Sequence, residues 1–233
     1  MRLLHDFFAS SVYFGVFLSL FAYFIGLAIR KKTGLSIFNP LLVSVLLVMA
    51  LLAVFRIDYA AYHHSAKLLS SLLTPATICL AVPLYEQLSL LKTHKKAILL
   101  GIFSGVMTSL VCVLALSFLF GLDHTAYVTL LPKSITTAIG MGVSEKLGGH
   151  VSITVAVIIL TGILGNMIAR SVCRVFSITE PVARGVAIGT SSHAIGTTCA
   201  MELGEIEGAM SSLSIVIAGI LTVAGASVFA LFL

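Results

Sequence analysis

Six stretches of this chain stay apolar over roughly the 20 residues that a helix needs to cross hydrocarbon, and this constraint of length decides the class of fold first. They run over residues 12–29, 40–55, 68–91, 97–122, 151–169 and 209–233. Of 233 residues, 59% are hydrophobic and 10% charged, too little polar side chain to coat a water-soluble domain of this size. The expectation is an all-α polytopic membrane protein, one integral membrane domain over 1–233. The first apolar run lacks a small-residue cleavage site and stops at Arg30, Lys31 and Lys32, so a span is expected there and not a cleaved leader. Pro75 and Pro83 each remove a backbone donor from the third run, which predicts a kinked or locally unwound span.

Two further segments, 125–149 and 184–207, are apolar enough to enter a bilayer yet carry Gly, Ser, Thr and charge that a lipid-facing helix avoids. They resemble each other. Thr137-Ala138-Ile139-Gly140 aligns with His193-Ala194-Ile195-Gly196, and the same offset pairs Leu147-Gly148 with Leu203-Gly204. After one residue of slippage, TGILG at Thr161 matches AGILT at Ala218. The chain therefore divides into four spans (1–122) and two copies of a unit, a broken segment plus a full span, over 123–178 and 179–233.

Charge orients these units. If Arg30 to Lys32, Lys92 to Lys96, and Arg170, Arg174 and Arg184 all face the cytoplasm, the Asp123-His124 turn lies outside. The span at 151–169 then runs inward only if 125–149 enters and leaves on the outer side. The expected architecture is about six full transmembrane helices plus two re-entrant hairpins in inverted-topology repeats, the repeat pattern of many secondary transporters. If both segments crossed fully, Arg170 and Arg174 would lie outside, away from the other basic clusters.

At such hairpin tips, backbone N–H groups and helix N-termini face a cavity and can hold an anion, with hydroxyls as uncharged donors. The candidate binding residues are Lys133, Ser134, Thr136 and Thr137 in the first segment and Ser191, Ser192, His193, Gly196 and Thr197 in the second. Lys133 either meets a carboxylate or snorkels to the interface. His193 either contacts substrate and carries a proton or is a buried neutral ring with one backbone partner. Glu202, Glu205 and Glu207 mark the exit of the second hairpin, and Glu202 or Glu207 can instead carry coupling protons. Glu86, after the Pro83 break, has the same two readings. Asn39-Pro40 reads as a helix cap with a first-turn proline, or as an amide turned to the cavity.

Other classes fit poorly. The net charge of +5 comes from short clusters beside apolar runs, which argues for membrane orientation and against nucleic acid. Cys79, Cys112, Cys173 and Cys199 are isolated, so neither a metal site nor a disulfide framework is indicated. No Ser/His/Asp arrangement or phosphate loop is present; no enzyme and no cofactor are expected.

Several motifs in fixed order carry a resemblance: NPLL at Asn39, PLYEQ at Pro83, LPKSITTAIGM at Leu131, TGILG at Thr161, RGVAIGTSSHAIGT at Arg184 and EGAMSSLS at Glu207. Together they make the chain similar to the LrgB/CidB family of antiholin-like and holin-like membrane proteins. The resemblance implies a multi-pass protein of the cell membrane. It also implies one of two functions: transport of small 2-hydroxy or 2-oxo monocarboxylates, of the glycolate and glycerate type as in the plastid relative or of the pyruvate type as in bacterial members with their LrgA-type partner, or holin-type control of murein hydrolase activity and lysis. That plastid relative fuses an LrgA-like part to the LrgB-like part, and this chain has only the latter. A separate LrgA/CidA-type membrane partner is therefore implied, and a homodimer is expected as the scaffold.

Overall fold

Residues 13–34, 38–72, 75, 78, 79, 82, 85 and 88–233 are described in the structure, a computed structural model, with 88–91 described by backbone alone. Among them there is no strand. Four helices are long and apolar enough to cross a membrane: Phe14–Thr33, Lys92–Phe120, Val151–Val175 and Glu205–Phe232. Pro40–Phe55, with 16 residues, is about 24 Å long and falls short of the other four. The third expected span lies mostly outside the described residues, and Pro83 and Glu86 with it. The chain divides into two compact units, Met1–Cys79 and Leu80–Leu233.

In the first unit, α1 (Phe14–Thr33) ends where Gly34 turns left-handed at φ 67 and its N–H reaches back to the Arg30 carbonyl. Helix α2 (Pro40–Phe55) begins with Asn39, whose side chain accepts from the N–H groups of Leu41 and Leu42 at 2.9 and 3.4 Å. The cap reading of Asn39-Pro40 thus describes its local structure. Leu18 and Ala22 of α1 pack on Val48 of α2. Two short helices follow, α3 (Tyr59–Ser65) and α4 (Lys67–Ser71). Ser65 Oγ accepts from the Gly15 N–H at 2.9 Å, satisfying a first-turn donor of α1 that no carbonyl can reach.

The second unit starts with α5 (Leu88–Phe120), followed by α6 (His124–Leu130), a non-helical stretch at 131–136, and α7 (Thr137–Lys146). Then come α8 (Val151–Val175), α9 (Pro181–Leu203), α10 (Glu205–Phe229) and a closing 3-10 turn, Ala230–Phe232. Helix α9 is interrupted at His193, where φ 41 and ψ −142 leave helical geometry.

Contacts along α8 show how the chain turns at each break. The entering arm of α9 runs antiparallel to α8, and Ser192 arrives against Gly165. His193 meets Ile158 and Gly162, after which Ile195 and Thr198 meet Asn166 and Glu202 meets Arg170. The returning arm therefore runs back beside the entering one, and Arg184 and Glu207 end at the same base. The earlier segment turns likewise. Gly140 packs against Ile158 and lies near the Pro132 carbonyl, while Ser144 and Thr129 both meet Thr154. Both turns thus lie beside the middle of α8, and their bases lie at its opposite ends.

Small residues make these approaches possible. A Cβ on Gly185 would lie 2.5 Å from the Glu207 carbonyl oxygen, and one on Gly189 would run into the Ser211 backbone. On α5, Gly101 and Gly105 face Val186 and Thr190, four residues apart on one stripe, as in other close helix crossings in membranes. That register puts the Lys92, Lys95 and Lys96 end of α5 at the same end of the unit as Arg170, Arg174 and Arg184.

Replacing Gly189 by Val forces a side chain into the α9–α10 seam, with an expected loss of about 1–3 kcal/mol or more. Gly142, with nothing within 4 Å of a built Cβ, is the control. Its Ala variant should unfold at the same temperature or up to about 1 kcal/mol more stable. Thermal unfolding in detergent separates the two.

Candidate functional site

Between α5, the first turn, α8 and the entering arm of α9 lies a cavity of about 680 Å³. Most of its wall is aliphatic, including Leu164, Ile168, Val172, Val186 and Ile188. Its polar lining concentrates where the two turns meet. Lys133 Nζ donates to Ser134 Oγ at 3.0 Å, and Ser134 Oγ lies 3.1 Å from Ser109 Oγ on α5. Across the cavity, Ser191 and Ser192 hydroxyls are 3.0 Å apart, and Thr190 stands one residue before them.

Two electrostatic facts set the character of this space. Lys133 is the one charged residue in the lining, and among the described residues no carboxylate pairs with it. Thr190 Oγ1 is buried with no hydrogen-bond partner among the described residues, while its methyl group sits where Gly105 has no side chain. An unmet buried hydroxyl costs about 1–3 kcal/mol, whereas the partly buried Lys133 ammonium keeps the Ser134 hydroxyl as a partner.

The remaining described sequence-derived residues do not line the cavity. His193 is 2% exposed, and its Nε2 lies 3.0 Å from the Ile158 carbonyl. A carbonyl only accepts, so Nε2 carries the hydrogen and the ring ties the second turn to α8. Thr197 Oγ1 donates to the His193 carbonyl at 3.0 Å and lies 2.7 Å from Ser211 Oγ. Gly196 packs the returning arm against Ser192 and Ile188. Thr136 caps α7 without a side-chain cap bond, and Thr137 opens that helix. Asn39 belongs to the first unit.

The glutamates lie at the base of α9. Glu202 pairs with Arg170 at 2.8 Å, both about half exposed, whereas Glu207 is buried and lies 3.8 Å from Arg184. Neither lines the cavity. Glu86 is outside the described residues, and among the described residues no group of His, Cys, Asp and Glu is placed to hold a metal.

A family model, the LrgB-like family, matches residues 19–232, which include every residue that lines the cavity. The chain belongs to the LrgB-like family. It is 36% identical over 220 residues to the antiholin-like protein LrgB of Bacillus subtilis (strain 168), covering 94% of this chain and 95% of that one. Antiholin-like LrgB proteins of Bacillus mycoides (strain KBAB4) and Bacillus cereus (strain B4264) are 36% and 35% identical over 212 residues, with 91% of this chain and 92% of each relative covered. No solved structure matches the chain significantly. It is thus an antiholin-like LrgB family membrane protein with several helices long enough to span.

Sequence patterning missed Ser109, Thr108 and Thr161 in the lining of this LrgB-like chain, because hydroxyls scattered through a span look the same whether they face lipid or a cavity. Thr190 stood in plain view beside the quoted serines, but only its unmet hydrogen bond distinguishes it. At φ 41 a side chain at position 193 strains the backbone, and glycine does not. His193→Gly should therefore unfold about 1 kcal/mol later than His193→Ala, although both lose the bond to Ile158. Paired thermal melts check this.

Proposed function

We propose that this LrgB-like protein is a secondary carrier for small 2-hydroxy or 2-oxo monocarboxylates, held where the tips of two re-entrant hairpins in inverted repeats meet. The observation that carries this is Lys133, a partly buried cation with no carboxylate partner among the described residues, in a cavity whose lining takes hydroxyls from both turns. A compact ammonium matches one carboxylate, and Ser134, Ser191 and Ser192 offer donors and acceptors to it and to the neighbouring oxygen. The aliphatic remainder of the wall suits a carbon chain with no second charge. His193 and Thr197 hold the tip, Thr136, Thr137 and Gly196 shape it, and Asn39 remains a proposed contributor from the first unit. Proton coupling would fall to His193, Glu202, Glu207 or Glu86; Glu207 fits best, as a buried acid facing a single arginine at the hairpin base.

The shared end of Lys92, Lys95, Lys96 and the three arginines supports hairpins that enter from opposite sides, with that end cytoplasmic. The cell membrane is the proposed location, with an LrgA/CidA-type subunit or a second copy as scaffold partner. A second reading, regulation of lysis through a holin-like pore, is favoured by the antiholin-like names of the relatives. A pore of that kind passes solutes regardless of size and has no use for an unpaired lysine among hydroxyls.

Counterflow of labelled glycolate and pyruvate in proteoliposomes distinguishes the two. Saturable exchange is expected in the native protein, accelerated by an acid outer pH if protons are co-transported, and abolished in Lys133→Gln with the protein still folded. Size-independent leakage of both labelled acids and larger solutes would end the carrier assignment. Thr190→Val should unfold at the same temperature or higher, because an unmet buried hydroxyl is replaced by a methyl group of the same shape, and thermal melts in detergent check this.

A further inference from the structure

A second cavity of about 400 Å³ lies at the base of α9, lined by Arg170, Cys173, Arg174, Ser177, Thr179, Arg184 and Leu203. Three guanidinium groups face one small space there. Two are held in place: Arg170 by Glu202 at 2.8 Å, and Arg184 by its Nε donating to the Ile178 carbonyl at 2.7 Å, with Glu207 3.8 Å from its NH1. The chain makes this wall by turning left-handed at Ser177, φ 53, so that the Ile178 N–H bonds back to the Cys173 carbonyl at 2.8 Å. Arg174 is exposed, and no carboxylate pairs with it among the described residues. The pocket thus holds three cations against two carboxylates, one of them at the limit of pairing distance. The buried Cys173 is also part of the wall of the 680 Å³ cavity, so the two spaces share a side chain.

We propose that the arginine pocket is an oxyanion-binding vestibule, in which Arg174 is the first ligand of a small carboxylate on its way past Cys173 into the main cavity. Guanidinium groups suit this use, since each presents several N–H donors in a plane that matches a carboxylate, and clustered positive charge raises the local concentration of anions. This function rests on the carrier assignment, whereas anion binding at the pocket does not.

Cys173 is a built-in reporter. The native full chain in phosphatidylcholine vesicles is treated with anionic and cationic methanethiosulfonates of similar size, and modification of the Cys173 peptide is followed by mass spectrometry. The anionic reagent should react about tenfold faster, the preference should fall to parity in Arg174→Gln, and glycolate or inorganic phosphate should slow the reaction. Arg174→Gln should also raise the transport KM several-fold for substrate offered from the arginine side while leaving kcat and the KM from the other side unchanged. Equal reactivity towards both reagents, or a preference indifferent to Arg174→Gln, overturns the vestibule. So does protection of Cys173 by phosphatidylglycerol vesicles with no effect of soluble anions, which would mark a lipid headgroup site instead. Charge preference without any saturable exchange leaves an anion pocket but removes its role in transport; exchange without charge preference leaves the carrier and removes the vestibule.

Discussion

Two interruptions of helical backbone have to be kept away from lipid, and most of the second unit is arranged to do so. In hydrocarbon an unpaired N–H or carbonyl has no water to turn to, so non-helical backbone survives only when buried in protein or facing a wet cavity. Here a single residue of α8 serves both breaks. Ile158 is fully buried; its side chain supports Gly140 in the first turn, and its carbonyl receives the His193 ring of the second. Gly162 and Gly165, farther along α8, leave room for His193 and Ser192 to come down onto the helix. The base of the first turn is tied to the same helix by Thr154, which lies 2.9 Å from the Thr129 carbonyl and 2.7 Å from Ser144 Oγ.

Placing the breaks side by side has an electrostatic consequence. Residues that cap or approach a break are small and polar, so hydroxyls accumulate where the turns meet, and the cavity beside them takes its polarity from there. Into that setting the chain puts one lysine and no acid. A carboxylate of the protein would lower the energy of the empty site and compete with any anionic guest. Among the described residues none is supplied there, and the arginines of the second cavity, which shares Cys173 with the first, extend the same sign of potential towards one end of the unit.

Much of this was legible in the sequence, and what was not has a physical reason. The tetrapeptides Thr137-Ala138-Ile139-Gly140 and His193-Ala194-Ile195-Gly196 each begin at a break in helical backbone, but their glycines pack differently, Gly140 on Ile158 of α8 and Gly196 on Ser192 and Ile188 of the entering arm. Lys133, Ser134, Ser191 and Ser192 stood out because charge and clustered hydroxyls are costly in an apolar chain, and all four line the cavity. The direction of a side chain at a break is another matter. Position 193 lies outside helical φ and ψ, so helical periodicity gives no bearing for its ring, which turns to α8 and away from the cavity lining. Nor does a pattern of hydrophobicity distinguish the Gly101–Gly105 stripe of α5 from glycines that face lipid; only the approach of Val186 and Thr190 does that.

The distribution of small residues also limits how such a unit can move. Along α9 and α10 the contact is backbone to backbone at Gly185 and Gly189, and the Thr197–Ser211 hydrogen bond and the Gly208–Met201 approach extend it onto the returning arm. Sliding one helix past the other there would drive Met210 or Glu207, which now lie against the hydrogen of Gly185, onto a residue that carries a side chain. On the opposite flank Gly101 and Gly105 of α5 line the cavity and meet side chains of the entering arm, Val186 and Thr190. The entering arm of α9 is thus keyed to α10 backbone against backbone, whereas at the two α5 glycines it is met through side chains, which can turn.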